Sequence, residues 1–304
     1  MVPGFWDTVE RRWQLAVGSV NDLPDAKIVV KGVRWWDRRQ LSGTIAITGS
    51  RGAGKSVLRD GLLNRIGQNY VAPDKSMVAE KSRAVLEQNR AKKRLGVVVV
   101  PGQASTQRTD ALAEMFDARF DRAPVGLIHV VCWGHNEVQE AHERRAIRKE
   151  IQAGGRRFDL NALSEWNRQA ELDEFRQVCE VVRGVWGQHP SMWLVIAVAQ
   201  THLFWDRIED ASKYYVPEQP TETRPAVEPH QDEAESEFRQ DLRDLVEDMR
   251  EPGQARVAIL PVASYPQQYR FDSRMPIVRP LLTPAESRNL MGTFNATLGE
   301  FCEG

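Results

Sequence analysis

Cysteine is scarce in this chain, with only Cys132, Cys179 and Cys302 among 304 residues. An odd number, so far apart, builds neither a disulfide framework nor a set of closely spaced zinc ligands, and the three read as buried thiols. Long apolar runs are lacking too. No stretch of 18 consecutive apolar residues occurs, so no membrane span is expected. The opening MVPGFWDTVERRW carries charges where a signal peptide needs its apolar stretch, which makes the cytoplasm the expected location. An excess of one charge sign is also missing. Lys and Arg number 41 against 42 Asp and Glu, a net charge of −1, which argues against an overall basic nucleic-acid binder and against an acidic solvating chain. The length suits one elaborated domain or two small ones with a sizeable core.

What is present is a succession of apolar patterns. Trp6, Val9, Trp13, Ala16 and Val17 recur at helical spacing and predict a short opening helix. A strand is expected over 26–32, then a polar connection with Trp35, Trp36, Asp37, Arg38 and Arg39, then a second strand over 44–48 that runs straight into Gly49. The adjacent Trp35 and Trp36 read first as packing or a turn cover and second as a partner anchor. Leu58, Leu62, Leu63 and Ile66 predict a helix directly after the glycine-rich turn. Two further strands, 82–88 and 95–100, are expected to be joined by a polar hairpin connection over 89–94. Residues 81–94 hold six basic side chains and one acidic one, most simply a solvated turn. A helix is expected to end near Phe120.

Residues 125–132 and 193–199 are nearly continuous apolar runs, which suit a parallel sheet covered on both faces. Between them lies an insertion, about 135–192, too long for a simple crossover. It carries a charged helix over 139–152, a break at Gly154-Gly155, and a second helix on which Leu163, Trp166, Leu172, Phe175, Val178, Val182 and Trp186 roughly keep helical spacing. Pro217, Pro220, Pro225 and Pro229 punctuate an acidic loop over 216–231, read as mobile. Phe238, Leu242, Leu245, Val246 and Met249 then predict a one-sided helix. The last strand is expected over 256–262, and Leu290, Phe294, Leu298 and Phe301 mark a closing helix. The fold class is therefore α/β: a mostly parallel sheet flanked by helices, with a helical insertion. Residues 1–43 form an N-terminal helix and strand extension, and 44–304 the main domain.

The chemistry concentrates at Gly49-Ser50-Arg51-Gly52-Ala53-Gly54-Lys55-Ser56. These residues match GxxxxGK[ST] in full, after a predicted strand and before a predicted helix. Glycines let backbone turn around phosphates, successive N–H groups and the helix N-terminus face the anion, Lys55 reaches the β and γ phosphates, and the Ser56 hydroxyl suits Mg²⁺.

Further along, Val97-Val98-Val99-Val100-Pro101-Gly102-Gln103 resembles the strand and DxPGQ segment of the Ras/Arf-like P-loop GTPases, and the TVPGQ segment of bacterial Mgl-type polarity GTPases. The resemblance implies a Ras-like P-loop NTPase fold over roughly 44–264. It implies that Gly102 senses the γ-phosphate and that Gln103 orients the attacking water. Val99 stands where the family usually has an Asp that contacts Mg²⁺ through water. Ala199-Gln200-Thr201-His202-Leu203 occupies the frame of the guanine-reading NKxDL, with its three fixed polar letters changed, and Ala263 and Ser264 fall in the late base-contacting loop. Gln200, Thr201, His202, Ala263 and Ser264 are thus the implied base contacts. Neutral His202 cannot make the paired contact that an Asp makes with guanine.

Where the family has a mobile Thr over Mg²⁺, residues 71–82 offer only Ser76 and Ser82. Arg51 reads as solvated or phosphate-clamping, with a catalytic arginine supplied in cis as the alternative. The implied cofactors are Mg²⁺ with GTP, ATP remaining open. The implied activity is that of a slow GTPase switch whose segments 71–82 and 102–109 engage a protein partner. A nucleotide-binding scaffold without turnover, and an ATPase, are the alternatives.

Overall fold

Apolar runs such as TIAIT and WLVIAV have no polar face to offer water, so both sides of any sheet they form must be covered. The computed structural model describes residues 5–21, 29–32, 43–73, 79–88, 91–102, 124–138, 140–186, 192–218, 235–249 and 256–303. Strands Val29–Gly32 (β1), Gly43–Gly49 (β2), Glu80–Gln88 (β3), Ala91–Val99 (β4), Pro124–Val131 (β5), Trp193–Val198 (β6) and Arg256–Pro261 (β7) make one sheet in the order β1-β3-β4-β2-β5-β6-β7. Strands β4, β2, β5, β6 and β7 are mutually parallel, while β3 runs antiparallel to both β4 and β1. The chain is α/β, with a mostly parallel sheet flanked by helices.

The helices are Phe5–Gly18 (α1), Lys55–Leu62 (α2), Ala141–Ala153 (α3), Leu160–Trp186 (α4), Ile208–Tyr215 (α5), Glu237–Asp248 (α6) and Pro284–Glu303 (α7). Alternate side chains of one strand point to opposite faces, and the core divides accordingly. Leu194, Ile196 and Val198 of β6 join a layer with α3, α4, α5 and α6, whereas Trp193, Val195 and Ala197 join a second layer with α2 and α7. Helix α1 packs against β7 and contributes Trp6, Val9 and Trp13 to the first layer and Ala16 to the second. Arg12 fastens it to α7 through Glu300 at 3.0 Å and lies over the Phe301 ring.

Two expectations need correction. The helix after the glycine turn stops at Leu62, because Asn64 adopts a left-handed φ of 51° and turns the chain, so Ile66 lies outside it. The β3–β4 connection is also shorter than the polar residues suggest. Residues 91–94 belong to β4, and backbone pairing continues as far as Gln88 with Ala91. A backbone ladder needs no apolar side chains, so hydrophobic patterning undercounts a strand pair that runs beyond the core. Residues 26–28, Trp35, Trp36, Asp37, Arg38, Arg39, Ser76, Gln103, the helix expected before Phe120, and Pro220, Pro225 and Pro229 all lie outside the described residues.

The insertion helices carry part of the core. Phe175 of α4 is fully buried, stacks on Phe238 of α6 with ring centroids 4.3 Å apart, and meets His129 of β5. Phe175→Ala is therefore expected to destabilise the whole chain by about 3–5 kcal/mol. Chemical denaturation should show this as one shifted transition. A separate early transition, with the rest unshifted, would instead mark the helices as an independent unit.

Candidate functional site

The carboxyl ends of the five parallel strands open onto one edge of the sheet, the place where open α/β sheets hold ligands. The loop after β2 is built for close backbone approach. Gly49, Gly52 and Gly54 have φ of 133°, 73° and 90°. At Gly52 the requirement is also steric, since a Cβ there would lie 2.1 Å from the Glu137 carbonyl oxygen. The Glu137 N–H donates to the Gly52 carbonyl at 3.1 Å. Gly54 is the N-cap of α2, whose first-turn N–H groups have no partner within the helix and favour an anion. Lys55, only 8% exposed, curls back so that Nζ donates to the carbonyls of Gly49 at 2.7 Å and Ser50 at 2.8 Å. Ala53 is fully buried beneath the loop.

Gly102 follows β4 and closes on this ring from the side. A Cβ at that position would fall 2.4 Å from Lys55 Nζ and 2.8 Å from the Arg51 backbone nitrogen. The ammonium tip can move aside, but the Arg51 backbone cannot, so this approach needs glycine. The Ser56 hydroxyl donates to Glu80 Oε1 of β3 at 3.2 Å, and the other Glu80 oxygen is ion-paired with Arg59. Val99 is buried in the apolar layer. Ser82, two residues along β3, is half-buried and does not line the cleft.

On the far side of the cleft the loops after β6 and β7 meet. Gln200, at a left-handed φ of 57°, turns its amide toward the glycine loop and donates to the Gly52 carbonyl at 3.0 Å. Thr201 is fully buried and donates to the Val262 carbonyl at 3.0 Å, which locks these two loops together. His202 lines the cleft. Burial lowers its pKa to about 4, against a hydrogen bond to the Gln267 backbone, so the ring is neutral at pH 7. Its buried Nδ1 has no hydrogen-bond partner among the described residues. Ser264 lines the cleft, with its hydroxyl against Met291 Sδ at 3.3 Å, while Ala263 is fully buried.

The loop's back wall comes from the insertion. Asn136 Nδ2 donates to Ser50 Oγ at 2.6 Å and to the Arg51 carbonyl at 3.2 Å. The Arg51 side chain, read from sequence as solvated or phosphate-clamping, is ion-paired with Glu143 of α3 and with Glu140, and so leans on the insertion. Behind this wall stands Glu171 of α4, buried, accepting from Tyr215 Oη at 2.7 Å, Cys132 N at 2.9 Å and Gly134 N at 3.3 Å. Burial raises the Glu171 pKa against these hydrogen bonds. Burial and the nearby carboxylate also raise Cys132 and Tyr215 well above their ordinary values. His135, buried in the same turn, is lowered to about 4.

One cleft thus gathers Arg51, Gly52, Gly54, Lys55, Ser56, Gly102, Gln200, His202 and Ser264, while Gly49 and Ser50 hold the lysine from behind. Its free space, open mouth included, is ≈ 1160 Å³. Glu80, Asn136, Glu137, Glu140 and Glu143 also shape the site, and no motif marks them in the sequence. Ordinary loop and helix-start polarity was their only signal.

His135 and His202 make the fold acid-sensitive. An unfolded histidine titrates near 6.5 and these two near 4, so between those values the unfolded chain binds more protons. Their contribution to stability is complete above about pH 6.5 and is lost as pH falls toward 4. Thermal unfolding followed over that range should show this slope, and the His135→Asn/His202→Asn double variant should flatten it. An unchanged slope would place the acid sensitivity elsewhere.

No protein family matches the chain, and no curated protein matches it either.

Proposed function

We propose that the chain is a Mg²⁺-dependent nucleoside-triphosphate-binding switch of Ras-like P-loop build, hydrolysing GTP slowly and signalling to a protein partner. The observation that carries this reading is the convergence of the Lys55 ammonium, the N-terminus of α2 and the Gly102 backbone on one point of the cleft. An ammonium, a helix N-terminus and glycine-permitted backbone approach are what a polyphosphate requires. The strand order, with β3 antiparallel at the β4 side of an otherwise parallel core, supports the Ras-like reading.

In this reading Lys55 and the loop amides bind the β and γ phosphates, and the γ-phosphoryl group is attacked by water oriented by Gln103. Ser56 and its carboxylate neighbour are oxygen donors of the kind that Mg²⁺ accepts, and the ion neutralises phosphate charge when bound. Gly102 couples the terminal phosphate to the chain beyond β4, so segments 71–82 and 102–109 are the surfaces offered to a partner. A scaffold without turnover is the second reading. It is favoured by the apolar Val99 and by the neutral imidazole of His202 at the position where the family has a carboxylate.

Lys55→Ala is expected to weaken triphosphate binding by about 100-fold or more, since it removes the charged donor from the phosphates. Titration calorimetry with GTP and ATP measures this, and wild-type affinity in the variant would sink the phosphate assignment. The same titrations test the base. With a neutral imidazole at position 202 in place of the family's carboxylate, discrimination between GTP and ATP should be weak, and His202→Asp should raise guanine preference. A strong wild-type preference for GTP would assign base reading to other groups.

Turnover separates the switch from the scaffold. Unassisted hydrolysis should be slow, and a partner that completes the site should accelerate it by roughly 10³ to 10⁵, as arginine fingers do for this chemistry. Single-turnover assays of wild type and Gln103→Ala, with and without cell extract, read this out. Tight triphosphate binding with no hydrolysis in either condition would establish the scaffold.

A further inference from the structure

We infer that Glu80 is the carboxylate of the magnesium site, supplying from β3 the negative charge that an acidic residue at position 99 of β4 would otherwise supply. This rests on the nucleotide reading above. Sites of this class hold Mg²⁺ between the hydroxyl at the end of the glycine loop and an acidic side chain from a neighbouring strand. Ser56 provides the hydroxyl. Val99, however, is 2% exposed in an apolar layer and offers no oxygen.

The β3–β4 register makes the replacement specific. Glu80 is the residue directly opposite Val99. Opposed residues of an antiparallel pair project to the same face of the sheet. Val99 shares its layer with Leu58 of α2, so Glu80 projects toward α2 as well, and there Ser56 Oγ donates to Glu80 Oε1 at 3.2 Å. The move from β4 to β3 shifts the Cα by about 5 Å. Glu is longer than Asp by one methylene, which recovers part of that distance.

The Glu80 carboxylate sits in a cluster of four charged side chains, Arg59, Asp60, Arg65 and Glu80. Glu80 meets Arg59, and Arg59 also meets Asp60, at 2.9 Å from Nη2 and 3.0 Å from Nε. Asp60 is in turn held by the Tyr70 hydroxyl at 3.0 Å. Asp60 also faces Arg65 at 3.6 Å, so a cation at Glu80 competes with Arg59 for the carboxylate, and Asp60 is the second acceptor that Arg59 retains when Glu80 turns to the ion. Its side chain is 26% exposed, open to a hydrated ion, and Mg²⁺ characteristically keeps several of its waters. The competing role for Glu80 is purely structural, a clasp from β3 onto α2 through Arg59.

The two roles separate by charge. Glu80→Gln keeps the shape, leaves a carbonyl oxygen to accept from Arg59 and an NH2 that can donate to the Ser56 hydroxyl, and removes the charge. Binding of fluorescent GTP and ATP analogues to the full chain is measured in Mg²⁺ and in EDTA, and Mn²⁺ binding to the protein–nucleotide complex is measured by electron paramagnetic resonance. In Glu80→Gln the affinity gained from Mg²⁺ should fall by about 10- to 100-fold, with Mn²⁺ affinity falling in parallel. Adding Val99→Asp should restore part of both. Should Glu80→Gln fail to fold, Glu80→Asp serves the same test: its carboxylate is withdrawn from Ser56 by one methylene, and part of the Mg²⁺ gain should be lost. If wild type binds neither analogue with Mg²⁺ present, the nucleotide reading itself falls. If wild type binds and the Glu80 variants gain as much from Mg²⁺ as wild type does, Glu80 is only the Arg59 clasp and this inference is overturned with the nucleotide reading intact.

Discussion

A nearly buried ammonium group must find oxygen atoms, and at Lys55 it finds them in the loop that precedes it. By donating to the carbonyls of Gly49 and Ser50 the side chain closes the glycine loop into a ring around its own tip. The ring dictates the rest of the site. Its backbone has to pass through left-handed conformations at Gly52 and Gly54, its exit has to be a helix start, and the chain leaving β4 has to approach as glycine. A buried ammonium beside converging N–H dipoles makes this end of the sheet electropositive, which is why this geometry bears on function more than the fold does.

The ring does not stand alone. It rests on the turn after β5, where Asn136 and Glu137 hydrogen-bond to Ser50, Arg51 and Gly52. That turn is held from beneath by Glu171 of α4, which draws in the Cys132 and Gly134 amides and the Tyr215 hydroxyl. A buried carboxylate with this many donors organises the backbone around it, and removing any one donor would leave an unsatisfied group at high cost. The insertion is therefore linked to the glycine loop through a continuous polar chain, with Arg51 and α3 as a second link on the outside.

The loops after β6 and β7 are organised by different needs. Gln200 and Thr201 spend their side chains on the Gly52 and Val262 carbonyls, fixing the loops after β6 and β7 to each other and to the glycine loop. Of the residues expected there, Gln200, His202 and Ser264 line the cleft, while Thr201 and Ala263 are fully buried.

Local sequence determined the elements whose cause is local. Apolar runs specified the buried parallel strands, helical spacing specified α1, α4, α6 and α7, and the glycine signature identified the loop and Lys55, because backbone permissiveness and side-chain periodicity are properties of a short segment. The hairpin length and the end of α2 were less legible, since backbone pairing and a left-handed Asn64 leave little trace in hydrophobic pattern. Only the tertiary structure decided which polar residues belong to the site. Glu80 meets Ser56 across 24 positions, Asn136 meets Ser50 across 86, and Glu171 reaches Cys132 across 39. Such pairings depend on strand order, register and helix placement, which emerge from burial of the whole core and which no single segment encodes.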